Sequence, residues 1–175
     1  MNRTEADRCY TWDLSSLFAS QEAFDEQLKC SEEQLAALCS RKDHISDTIE
    51  TYIQFLEDQE RFERGLENLY VYAKMCTDVE PTDVQNQQNL AHASNLMQKA
   101  QLDLTFVSLE LIRHADTIRE YLKEERCRDF RYPMEELFRT IPHRLSDEME
   151  QLMSEVQEIA SVPDETFQSL SLIHI

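Results

Sequence analysis

The side chains able to do chemistry are scattered along this sequence. Of five histidines, His44, His92, His114 and His143 lie far apart and the fifth, His174, stands in the last six residues, and the chain holds neither H-E-x-x-H nor E-x-x-H. A helix presents two ligands to one metal ion only at one-turn spacing, so neither a zinc nor a di-iron site is supported. Cys9, Cys30, Cys39, Cys76 and Cys127 form no C-x-x-C pair and read as free thiols of a reducing compartment. A loop that cradles phosphate needs glycines, and Gly65 is the sole one. Carboxylates are abundant, but in so acidic a chain every short window holds several, which marks a solvated face before it marks catalysis. No catalytic residue, metal ligand or cofactor-binding residue is assigned.

Composition narrows the partners. Seventeen Lys and Arg against 35 Asp and Glu give a net charge of -18 over 175 residues, a surface that repels phosphate-rich ligands. Nucleic acid is therefore not expected. The one basic stretch, Arg113 to Arg131, interleaves six cations with five acids and fits an amphipathic helix. No run approaches the ~18 apolar residues of a membrane span, and MNRTEADRCYTWD is too polar for a signal peptide. The expectation is a cytoplasmic protein with no membrane partner.

The elements that would position these residues are helices. With one Gly, and prolines at Pro81, Pro133, Pro142 and Pro163, long stretches lack the residues that hairpins require. The fold class is all-α, an elongated bundle of long antiparallel helices followed by shorter ones. From Asp43, read as an N-cap, apolar positions Ile45, Ile49, Tyr52, Leu56, Phe62, Leu66, Leu69, Ala73 and Cys76 recur every three or four residues or at their multiples. That predicts a helix of about 50 Å at 1.5 Å per residue. Ser20 can cap an earlier segment carrying Phe24, Leu28, Leu35, Leu38 and Cys39. S-E-E-Q at Ser31 also fits a capping box, which leaves one helix or two. After Pro81, Thr82 or Asp83 can open a third long helix through Leu111, with an exposed Asn/Gln-rich first half and a buried second half. Shorter helices are expected over 116–125, 134–139 and 146–161. The aromatic set Tyr52, Phe55, Phe62, Tyr70 and Tyr72 reads as core.

Three stretches in order carry a resemblance: YTWDLSSLFASQEAFDEQL, LENLYVYAKMCTDVEPTD and IPHRLSDEMEQLMSEVQEIAS. Together they are similar to the N-terminal region of oligoendopeptidase F, a zinc metallopeptidase family of the thimet-oligopeptidase kind, over about Tyr10 to Ser169. The family-signature positions are structural: Trp12, Asp13, Leu14, Leu69, Tyr70, Tyr72, Ala73, Pro142, His143, Leu145, Ser146 and Glu150. Trp12 and Leu14 would anchor the entering chain, Tyr70, Tyr72 and Ala73 would end a helix, and Ser146 would cap another. Two positions depart from the pattern. Met149 stands where the family often has Glu, which removes half of a capping box. SLELIR stands where the family tends to read E-P-E, so Glu110 lacks the following Pro and the third helix is expected to run on without a kink.

The resemblance implies a helical part that forms one wall of a deep channel admitting short peptides. It also implies a following catalytic domain whose H-E-x-x-H and further Glu bind zinc. None of those ligands is present here. The expected organisation is a long-helix region over 1–108, a helical oligopeptidase region over 109–169 leading toward the catalytic domain, and a non-native tail over 170–175. LSLIHI is what CTG TCT CTT ATA CAC ATC encodes, a string resembling the mosaic end of a transposon used in sequencing libraries, so adapter read-through on a truncated gene is expected. The favoured function is a non-catalytic fragment, inactive alone, of a zinc oligoendopeptidase, with its own catalytic domain as partner. The alternative is a free-standing acidic helical protein-interaction module.

Overall fold

The computed structural model describes residues 12–143 and, beyond them, positions 149, 156, 160, 162, 163, 166, 167 and 170. Ser146, expected to cap a helix over 146–161, lies outside the described residues, as do Leu145 and Glu150. Contacts divide the chain into two compact units, Met1–Arg131 and Tyr132–Ile175. Every element described is helical, as the period of the apolar residues requires.

In the first unit the chain enters through a 3-10 turn at Leu14–Ser16, and Ser20 then caps α1, Gln21–Cys39, by accepting from Ala23 N at 3.3 Å. α1 is one helix: Ser31 lies buried inside it, and Gln27 Nε2 donates to its Oγ at 3.1 Å. The long helix α2 spans Ile49–Val79, about 46 Å at 1.5 Å per residue. Its cap is Thr48 rather than Asp43. Thr48 Oγ1 accepts from Thr51 N at 3.1 Å while Thr51 Oγ1 accepts from Thr48 N at 3.0 Å, a reciprocal box that silences two orphan amides. α3, Val84–Asp103, starts on Asp83, which accepts from Asn86 N at 2.9 Å.

The third long helix does not run through Leu111. It stops at Leu104, and α4, Thr105–Arg113, and α5, Ala115–Tyr121, follow as separate short helices. No proline is needed for the break. Thr105 Oγ1 donates to the carbonyls of Gln101 at 3.0 Å and Leu102 at 2.8 Å, a local side-chain competitor for acceptors that the helix would otherwise use. A 3-10 turn at Glu125–Phe130 closes the first unit.

α2 packs on both α1 and α3, and α1 touches α3. Four residues join α2 to α3, which makes them antiparallel neighbours. Phe24, Leu69, Ala73 and Ala93 are fully buried together, with Phe18, Leu28, Tyr70, Tyr72 and Leu90 packed around them. Burying each large side chain of this kind contributes roughly 1.5–3 kcal/mol. Near the start of α2, Tyr52 is buried with its ring 5.8 Å from Tyr121 and 6.4 Å from Phe130, beside the buried Cys127. The Asn/Gln-rich half of α3 is not simply exposed. Asn89 is buried, and it trades both amide hydrogen bonds with Gln21, at 2.9 and 3.0 Å, tying α3 to the first turn of α1.

The second unit contains most of α6, Arg131–Thr140, and a 3-10 turn at Ile141–His143. Met134 and Phe138 are buried on one side of α6, while Tyr132 is 72% exposed. Among the described residues no helix is long and apolar enough to cross a membrane.

Candidate functional site

Four of the signature residues, Leu69, Tyr70, Tyr72 and Ala73, gather with Phe18 and Phe24 where α1 packs on α2. Asp13 accepts from Ser15 N at 3.0 Å and from Ser15 Oγ at 2.6 Å, capping the entry turn so that Leu14 is buried, whereas Trp12 stays 68% exposed. Leu69 and Ala73 are fully buried against Phe24 of the first quoted stretch. Tyr72 lies edge-on to Phe18 at 5.2 Å and 5.8 Å from Phe24, and Tyr70 packs on the same cluster. These residues do not end their helix; α2 continues to Val79. The first two stretches therefore form one aromatic crossing. Pro142 is exposed in the last 3-10 turn, which His143 completes.

Glu110 is the most consequential side chain that the sequence pattern did not assign a role. It is 2% exposed, and its two carboxylate oxygens accept from the backbone amides of Asp43 at 2.7 Å and Ile45 at 2.8 Å. A buried carboxylate is tolerable when such bonds satisfy it. The clasp explains why residues 43–45 are not helical although Ile45 is in phase with Ile49. Ile45 is fully buried from the loop, and Asp43 takes φ 66°. Tyr121 OH adds a bond to Ser46 O at 3.1 Å. One signal was available: Glu110 is the lone charge between Asp103 and Arg113, inside an apolar run.

The groups with intrinsic reactivity stay apart. His44 Nδ1 is 2.9 Å from Asp47 Oδ2 on the surface, and that hydrogen bond, with the charge of Asp47, raises the imidazole above its ordinary value. His92 and His114 are exposed. Burial, seconded by Asp103, pushes the Cys39 thiol up, and burial does the same to Cys127, which keeps both protonated and poor nucleophiles. Among the described residues no group of three or more His, Cys, Asp or Glu side chains is placed to hold a metal ion.

Known proteins match this arrangement over most of the chain. The profile of the Oligopeptidase F family matches residues 113–175. Group B oligopeptidase PepB of Streptococcus agalactiae is 27% identical over 171 residues, covering 97% of this chain and 28% of that protein. Oligopeptidase PepF of Bacillus subtilis is 26% identical over 172 residues, covering 97% of this chain and 26% of its own length. The crystal structure of oligoendopeptidase-F from Enterococcus faecium shares the fold with a TM-score of 0.69 at 26% identity, over 85% of this chain and 30% of that one. The chain thus spans only about a quarter of the length of these curated relatives. The resemblance carried by the three sequence stretches is borne out, and this chain corresponds to the N-terminal portion of oligoendopeptidase F proteins.

Proposed function

We propose that the chain serves as the non-catalytic N-terminal part of a cytoplasmic, zinc-dependent oligoendopeptidase that hydrolyses short peptides. In this reading the long helices of region 1–108 form one wall of the substrate channel, and region 109–169 leads toward the catalytic portion. The observation that carries it is the match of 97% of this chain to 28% of an oligopeptidase. The length of α2 suits a wall more than a compact ball. Because no ligand set occurs among the described residues, zinc belongs in this reading to the part of the relatives that the chain does not span. There the metal would polarise the scissile carbonyl and activate water.

Expression of the chain with its downstream coding sequence tests the reading. The longer protein should cleave a quenched fluorescent peptide and lose that activity to a chelator. The 175-residue chain alone should neither cleave it nor retain stoichiometric zinc after a chelator wash. Cleavage by the isolated chain that survives repurification, or a longer protein inert toward peptides, would overturn the proposal.

A further inference from the structure

Between α1 and α2 lies a notch of about 180 Å³ lined by Gln34, Ala37, Leu38, Arg41, Asp58 and Arg61. Asp58 organises it. Its Oδ2 accepts from Arg41 Nη2 at 2.6 Å, and its Oδ1 accepts from Arg61 Nη1 at 2.9 Å and from Gln54 Nε2 at 3.0 Å. Burial works to raise the Asp58 carboxyl, but the bonds from Arg41 and Gln54 and the two arginine charges outweigh it and hold the group below its ordinary value. The aspartate is therefore ionised at neutral pH. Among the described residues no other acid is within ion-pair distance of either arginine. Two cations on one anion leave a positive charge unmatched, in a chain whose net charge is -18.

That surplus is of a particular shape. Each guanidinium has five N–H donors in a rigid fork, and Asp58 engages one side of each, fixing the remaining donors in place. Planar, paired donors of this kind suit a carboxylate. Ala37, exposed above the buried Leu38, supplies an apolar floor. Gln34 Oε1 is buried with no hydrogen-bond partner, and the terminal torsion of a glutamine turns over a broad range, so this acceptor can meet a donor brought by a ligand.

We propose that this notch binds the C-terminal residue of a peptide. Its carboxylate bridges Arg41 and Arg61, its backbone N–H reaches Gln34 Oε1, and its side chain rests on Ala37. A carboxylate with an N–H one residue-length away is what every peptide end offers, and the volume admits one residue. The inference rests on the oligopeptidase reading, to which it adds a point of substrate contact on the wall.

Titration of the isotopically labelled 175-residue chain with N-acetyl-leucine, followed by amide chemical shifts, tests it. Saturable shifts are expected on both sides of the notch, in α1 near Gln34 to Arg41 and in α2 near Asp58 to Arg61. N-acetyl-leucine amide should produce none, and acetate should bind at least tenfold more weakly. Arg61 is 65% exposed, so Arg61→Gln should leave the helix content intact while weakening binding at least tenfold, and Arg61→Lys should fall between. Equal binding of acetate, binding of an amidated peptide through an internal Glu, or an unaffected Arg61→Gln variant would each overturn the proposal. Failure to bind by a chain whose longer form cleaves peptides refutes this inference alone; binding by a chain whose longer form is inert refutes the peptidase reading alone.

Discussion

Asp43 holds a left-handed backbone, which costs a residue with a β-carbon roughly 1–2 kcal/mol unless bonds retain it, and the two amides given to Glu110 do so. Glu110→Ala removes both acceptors and leaves the buried amide of Ile45 unmatched and the part-buried one of Asp43 to water, so unfolding free energy should drop by about 1–3 kcal/mol, measured as a shift in denaturant midpoint. Glu110→Gln should cost less, because its carbonyl still serves one donor. A loss below about 0.5 kcal/mol for the alanine variant would mean that water reaches these amides. His44 gives a separate, pH-resolved expectation. Its folded value lies above 6.5, so what the Asp47 pair adds to stability is complete below about pH 6.5 and fades as pH rises through the folded value. Imidazole proton shifts should show a raised midpoint that returns to ordinary in Asp47→Asn. An unchanged midpoint in that variant would assign the shift to Asp43 and Glu110 instead.

At the scale of elements, Gly65 of α2 faces Gln27 and Ser31 of α1 at close range. A β-carbon there would stand 2.6 Å from Gln27 Nε2 and 3.5 Å from Ser31 Oγ. Alanine gains roughly 1 kcal/mol of helix propensity and pushes away only the end of a flexible side chain, at the cost of the Gln27–Ser31 hydrogen bond, so Gly65→Ala should be nearly neutral. Gly65→Val adds branches that crowd Gln27 and the buried Ser31, and its melting temperature should fall by several degrees. A neutral valine would show that the helices do not touch there. Helices themselves were legible in the sequence because their apolar period is local. Their ends were less so: Ile45 shares the phase of α2 but is buried by Glu110, 65 residues away, and Thr105 breaks a helix without any proline. Of the signature residues, Tyr70 and Tyr72 read as core aromatics from the sequence, but their meeting with Phe18 and Phe24 in one crossing was not legible there. The arginine notch gave no signal at all, since Arg41 and Asp58 are ordinary surface charges until α1 and α2 pack.

For the whole molecule, charge and apolar exposure oppose each other. Met149, Val156, Val162, Phe167 and Leu170 are each about half exposed or more, while net charge -18 keeps copies apart. Salt shortens the reach of that repulsion, to about 3 Å at 1 M, so sedimentation should show self-association that grows with salt. Deleting Leu170 to Ile175 should reduce it only in part. A chain monomeric at both ionic strengths would mean that these side chains find cover within the molecule. The clasp between α4 and the loop before α2 also sets the order in which the molecule comes apart. Solvent hydrogens normally replace loop amide hydrogens within seconds, yet those of Asp43 and Ile45 are shielded by a carboxylate from a distant helix and can be replaced only when α4 lets go. Their exchange should be as slow as that of the helix interiors, and its rate would be a direct clock for the parting of α4 from the loop before α2.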